Sequence, residues 1–120
     1  MEIKTHQIGN IKIAEIISAE IIIQNISDGL DLVGNVYYQE FDSVILQQHH
    51  LVPEFFDLKN GMAGEILQKF SNYKLRLAIV GDFSSLTSKS IRDFIYESNH
   101  VGHINFLGSV EEALEVHSSK

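Results

Sequence analysis

The chain has 120 residues, 44% of them hydrophobic, with 9 Lys and Arg against 16 Asp and Glu and a formal net charge of −7 at pH 7. That length predicts a single domain over residues 1–120, and the lack of cysteine excludes disulfide frameworks, thiolate metal sites and cysteine nucleophiles. The acidic balance works against nucleic acid and anionic membranes, which need a basic face; with no apolar run near 18 residues and no basic-then-apolar N-terminus, a cytoplasmic protein is expected.

Ile3 to Gln7 and Ile11 to Ile17 are rich in β-branched residues, and Gly9-Asn10 between them is two-residue hairpin chemistry. Ala19 to Ile23 reads as a short strand or an extended connection. Ser27-Asp28 precedes Leu30, Val33 and Tyr37 at helical spacing, although Gly29 and Gly34 weaken that helix. Val44-Ile45-Leu46 forms a short buried strand, with His49 and His50 just past its carboxyl end.

Met62, Ile66 and Phe70 make one apolar helical stripe, so a second helix starts near Asn60. Leu75 to Val80 is the most strand-like segment, expected in the middle of the sheet and closed by Gly81-Asp82. Ser84 to Ser88 offers N-caps for a third helix carrying Ile91, Phe94 and Ile95 inward, with Asn99 and Gly102 marking its end and Asn99 suited to a left-handed terminal position. Ile104 to Leu107 is a final strand, and Ser109-Val110-Glu111-Glu112 has capping-box spacing for a last helix. The expected fold is α/β: an N-terminal β-hairpin, then alternating helices and strands in a mixed, mostly parallel sheet.

Ligands of parallel sheets sit outside the carboxyl ends of the strands, which directs attention to His49, His50, Glu54, Asp57, Asp82 and Ser84. The histidines and Asp82 converge there if their strands are neighbours. Two adjacent histidines on a strand point to opposite faces, and no His-Glu-x-x-His spacing is present, so no metal is assigned. Gly61-Met62-Ala63-Gly64 offers either helix N-terminal N–H groups to an anion or close backbone packing, and the second reading is preferred. The hydroxyls of 84–90 are read as caps. Glu97, Asn99 and His100 close the third helix. Of Tyr37 and Tyr38 only one can face inward; the other, with Phe41 nearby, is a candidate oligomer contact.

Phe55-Phe56-Asp57-Leu58, Gly61 to Phe70, Leu77 to Phe83 and Asp93 to Asn99 together resemble the bacterial domain of unknown function 4180 family, over nearly the whole chain. That resemblance implies a stand-alone bacterial protein without an assigned activity. A looser, topological similarity is to sulphate-transporter and anti-sigma-antagonist (STAS) domains, which bind protein partners and are switched by phosphorylation of a serine at the start of the helix after the third strand. The matching place here, Asp57-Leu58-Lys59-Asn60-Gly61, has no such serine.

The expectation is therefore a non-enzymatic regulatory or interaction module with a protein partner, no nucleic acid, no membrane, no cofactor, and a homo-oligomer as one option. Its candidate surface is His49, His50, Asp57, Gly61, Gly64, Asp82, Ser84, Glu97 and Asn99, with catalytic residues unassigned. The alternative is a small enzyme or ligand sensor at the same strand ends, using Asp57, Asp82, a histidine and Glu97.

Overall fold

The computed structural model describes residues 1–119. In chain order it contains β1 (Glu2–Ile8), β2 (Ile11–Ile17), α1 (Ile26–Tyr38), β3 (Ser43–Gln47), α2 (Met62–Asn72), β4 (Arg76–Val80), α3 (Lys89–Val101), β5 (Ile104–Leu107) and α4 (Val110–His117). Three 3-10 turns, Gln48–His50, Pro53–Phe56 and Leu58–Asn60, join β3 to α2. The sheet order is β1-β2-β3-β4-β5; β1 and β2 are antiparallel and every other pair is parallel. This is the expected mixed α/β architecture. β4 lies inside the sheet, but the central strand is β3.

Neighbouring parallel strands taken in sequence order, each joined by a right-handed crossover, place all their helices on one face. Side-chain alternation shows the result. Ala14, Ile16, Val44, Leu46, Leu77, Ile79, Ile104 and Phe106 pack beneath Leu32, Val33 and Val36 of α1 and Ile66, Leu67 and Phe70 of α2, with Phe94 and Ile95 of α3 against them. The opposite residues, Ile13, Ile45, Ala78 and Val80, pack on Ala113, Val110 and Leu114 of α4. Burial of each large side chain contributes about 1.5–3 kcal/mol, so the three-helix face holds most of the stabilisation. Among the described residues no helix is long and apolar enough to cross a membrane.

Local chemistry sets the boundaries. Gly9, at φ 60°, takes the first central position of the hairpin turn, the place that a type II′ turn reserves for glycine. α1 begins earlier than Asp28 suggests: Asn25 is its N-cap, accepting from Asp28 N at 2.8 Å, while Asp28 accepts from Gln24 N at 3.0 Å. Ala19 to Ile23 is a connection whose last residue makes an isolated parallel bridge to Leu51. α3 runs past Asn99 to Val101, and Gly102, at φ 87°, is the left-handed terminator.

Close backbone packing occurs at Gly29, not at Gly64. A Cβ at Gly29 would lie 2.6 Å from Ile66 Cγ1, inside the core, whereas Gly64 and Gly34 face open space. The two glycines of α1 therefore predict opposite outcomes. Gly34→Ala raises stability by about 1 kcal/mol through helix propensity, while Gly29→Ala lowers it by about 1–3 kcal/mol because Ile66 must move. Urea unfolding of both variants measures this; a stabilised Gly29→Ala protein would disprove the close α1–α2 contact.

Candidate functional site

At the carboxyl ends of the parallel strands, β3 passes straight into a 3-10 turn, and this overturns the expectation that His49 and His50 diverge. Their rings lie 4.3 Å apart, and both Nε2 atoms reach Ser18 O, at 3.0 and 2.9 Å. Gln47 N–H donates to His50 Nδ1 at 2.9 Å, which leaves the proton of a neutral imidazole on Nε2, where it donates to Ser18 O. Burial pushes the His50 pKa down, the Ser18 carbonyl opposes this, and His49 lowers it further. The backbone completes the clasp, since Ile22 N and Ile23 N both donate to His50 O. The histidine pair thus holds the 18–23 connection against the end of β3.

The neighbouring loops are ordered in the same local manner. Asp82 is exposed and accepts from Ser84 N at 3.0 Å; hydrogen bonds from the Ser84 side chain and backbone hold its carboxyl below the usual range. Gly81 is close-packed, since a Cβ there would sit 2.5 Å from Gln48 Oε1, so the β3 and β4 ends meet through a glutamine on a glycine. Asp57 is exposed between two turns, and Asn60 braces them by donating to Glu54 O at 2.7 Å and accepting from Met62 N at 2.9 Å. Gly61 supplies the left-handed residue, φ 80°, that lets α2 begin.

Two adjoining depressions lie between these loops. One, about 510 Å³, is lined by residues including Phe56, Asp57, Lys59, Leu86, Ser88 and Ser90. The other, about 300 Å³, includes Ile21, Gln48, His49 and Leu51, and the two share Pro53, Phe56 and Leu86. Together they make an apolar floor with a polar rim. Of the expected surface, His49 and Asp57 line it, Asp82 and Ser84 stand on the following loop, and Gly64 faces open space on α2. Glu97 lies exposed on α3, and Asn99 is at the outer edge of β5. Among the described residues no three His, Asp or Glu side chains gather as metal ligands.

At the opposite end of the sheet the structure assembles residues that sequence reasoning passed over. Ser43 opens β3, Arg76 opens β4, His103 precedes β5, Asn105 lies within it, and His117 ends α4. His117 is buried; its Nδ1 meets Ser43 Oγ and its Nε2 meets Asn105 Oδ1 at 2.8 Å. Arg76 donates to Gly102 O at 2.9 Å, Ser119 O at 3.1 Å and Val116 O at 3.4 Å. A depression of about 580 Å³ lies over Ser43, Arg76, His103 and His117.

Serine, histidine and asparagine in a line have the connectivity of a nucleophilic relay, but the electrostatics are those of a packing network. Burial first, then the charges of Arg76 and His103, lower the His117 pKa to about 3, far from a neutral-pH base. Ser43 is 1% exposed. The carbonyl ends of α3 and α4 face this region, whereas an oxyanion needs N–H donors. The only sequence signal was a polar residue interrupting an apolar strand, Asn105 between Ile104 and Phe106. At the α1 end of the same side, both tyrosines point outward: Tyr37 pairs with Tyr73 at 4.7 Å, Tyr38 is exposed, and Phe41 is buried with Lys12 4.3 Å above its ring.

The lowered histidine gives a signed pH dependence. An unfolded histidine is protonated near pH 6.5, while His117 in the fold stays neutral down to about 3. Between these values the unfolded state holds the extra proton. Stability is therefore complete above about pH 6.5 and falls on acidification, by at most roughly 1.4 kcal/mol per unit. His50 and His103, lowered in the same direction, steepen the fall. His117→Leu costs about 2–4 kcal/mol at neutral pH by leaving Ser43 and Asn105 unpaired, and it flattens the acid slope in urea titrations. An unaltered slope would assign the acid sensitivity to other groups.

A family model described as Domain of unknown function (DUF4180) matches residues 8–116. No curated protein matches the chain.

Proposed function

The chain belongs to the DUF4180 family, and from its own residues we propose that it is a non-enzymatic regulatory module that holds an apolar segment of a partner protein in the carboxyl-end groove. One observation carries this reading: His49, His50 and Asp82 are engaged in loop structure, leaving Pro53, Phe56 and Leu86 as the shared floor. His49 and His50 clasp Ser18, and Asp82 orders its own turn. An apolar centre with a polar rim is the usual composition of a protein contact, and Asp57, Lys59, Ser88 and Ser90 supply that rim. The hairpin followed by alternating helices and strands supports the likeness to STAS domains, and a cytoplasmic, bacterial setting belongs to the same reading. The enzyme or ligand-sensor alternative requires an acid–base pair facing one cleft; Asp57 lines one of the two depressions and Asp82 neither, and Glu97 stands apart on α3.

A photo-crosslinking residue at Leu86 is expected to give one dominant protein adduct in the native host, absent when the same residue replaces the exposed Tyr96. Adding Phe56→Ser should cut that adduct by about tenfold or more, as loss of a central anchor does, with helical circular dichroism retained. Diffuse labelling that Phe56→Ser leaves unchanged would refute the groove as the contact site.

A further inference from the structure

The two edges of the sheet are finished differently. At β5 the outward backbone groups of Phe106 are both taken by one side chain: Asn99 Oδ1 accepts from Phe106 N at 2.7 Å, and Asn99 Nδ2 donates to Phe106 O at 3.2 Å. Asn105 Nδ2 lies 3.4 Å from the same Oδ1. The middle of this short edge is thereby closed, a recognised way to prevent strand addition.

β1 has no such cover. The two-residue turn makes Ile8 and Ile11 a hydrogen-bonded pair, so the alternate pairs His6–Ile13, Lys4–Glu15 and Glu2–Ile17 also exchange their bonds. The N–H and C=O groups of Ile3, Thr5 and Gln7 therefore point away from β2. Among the described residues no other element bonds to them. β1 is also the joint longest strand, seven residues with five exposed.

We infer that a second copy of this chain occupies that edge, β1 pairing antiparallel with β1 about a two-fold axis at Ile3, to give one continuous sheet through both copies. Backbone geometry allows the axis through a bonded pair at Ile3, Thr5 or Gln7 and through a non-bonded pair at Lys4 or His6; an axis at Lys4 would set lysine against lysine, and side-chain chemistry selects Ile3. In that register Glu2 of each copy stands opposite Lys4 of the other, twice by symmetry, and Ile3 meets Ile3 beside the core on which it already packs. Met1, 63% exposed, then lies opposite Thr5. An axis at Thr5 would place Lys4 opposite His6 and Glu2 opposite Ile8. The pairing is isologous and closes, so it makes dimers and not fibres. It is independent of the carboxyl-end groove.

Light scattering after size exclusion, at concentrations up to millimolar, should show a monomer–dimer equilibrium. Thr5→Pro removes an outward N–H while leaving the β1–β2 ladder intact, so it should give a monomer with unchanged circular dichroism. Glu2→Lys and Lys4→Glu should each be monomeric alone, because the first sets lysine against lysine across the axis and the second sets glutamate against glutamate. Mixed in equal amounts they should dimerise, since both lysines of one variant then face both glutamates of the other. A strictly monomeric wild type would overturn the inference. So would a dimer that survives Thr5→Pro, or single-charge variants whose mixture stays monomeric.

Discussion

The Arg76 guanidinium fixes the electrostatics of the whole amino end of the sheet. It opens β4, lies partly buried, and meets the carbonyls of Gly102, Val116 and Ser119. Those carbonyls belong to the ends of α3 and α4, on opposite faces of the sheet, so one side chain satisfies both helix termini and ties the faces together. Burial lowers its pKa, yet a guanidinium is so strong a base that it stays charged. Burial first, and that permanent charge second, keep His103 and His117 neutral. A neutral imidazole both accepts and donates, which is what the line from Ser43 through His117 to Asn105 requires.

From this follows a division between the two ends of the strands. The amino end holds the polar groups that look most like chemistry, but Ser43, His117 and Asn105 are buried, uncharged and aimed at each other, with helix carbonyls beside them. Among the described residues His103 Nε2 is the one buried side-chain atom without a hydrogen-bond partner, an imperfection in that end. The carboxyl end holds short turns whose polar groups are satisfied locally and whose remaining exposed surface is partly apolar. The contact site proposed at the second end agrees with the general position of sites in parallel sheets, and here the reason is specific: the relay at the first end is committed to its own hydrogen bonds.

Patterns of apolar residues made the fold legible. β-Branched stretches and short apolar runs marked the strands, the Met62, Ile66, Phe70 stripe marked α2, and Ser109 caps α4 by accepting from Glu112 N at 3.1 Å. The site was less legible, because the placing of its histidines and glycines depends on contacts distant in sequence. The direction of His49 and His50 follows from a 3-10 turn and from Ser18, 31 and 32 residues upstream. Gly29 looked like a weakness in α1 until Ile66 was placed against it. Asn99 looked like a helix terminator because asparagine tolerates left-handed backbone, yet its side chain was needed at the β5 edge and Gly102 took the terminal role. Ser43, Arg76 and His117 lie on three separate elements, and no spacing rule connects them.

The connectivity itself decides that β1 must be an edge. A two-residue turn can only place β1 beside β2, and the other side of β2 is taken by β3 through a parallel crossover. The topology therefore produces one long antiparallel edge and one short parallel edge whatever the side chains are. The sequence then treats them unequally: Asn99 closes the four-residue β5, while β1 carries Glu2 and Lys4 on one face and Ile3 on the other. Charges of a single sign would repel a second copy in every antiparallel register that brings them together. Opposite charges two residues apart attract in the register centred between them and meet their own kind when the axis passes through either one, so they can discourage indiscriminate strand addition while admitting a single symmetric partner.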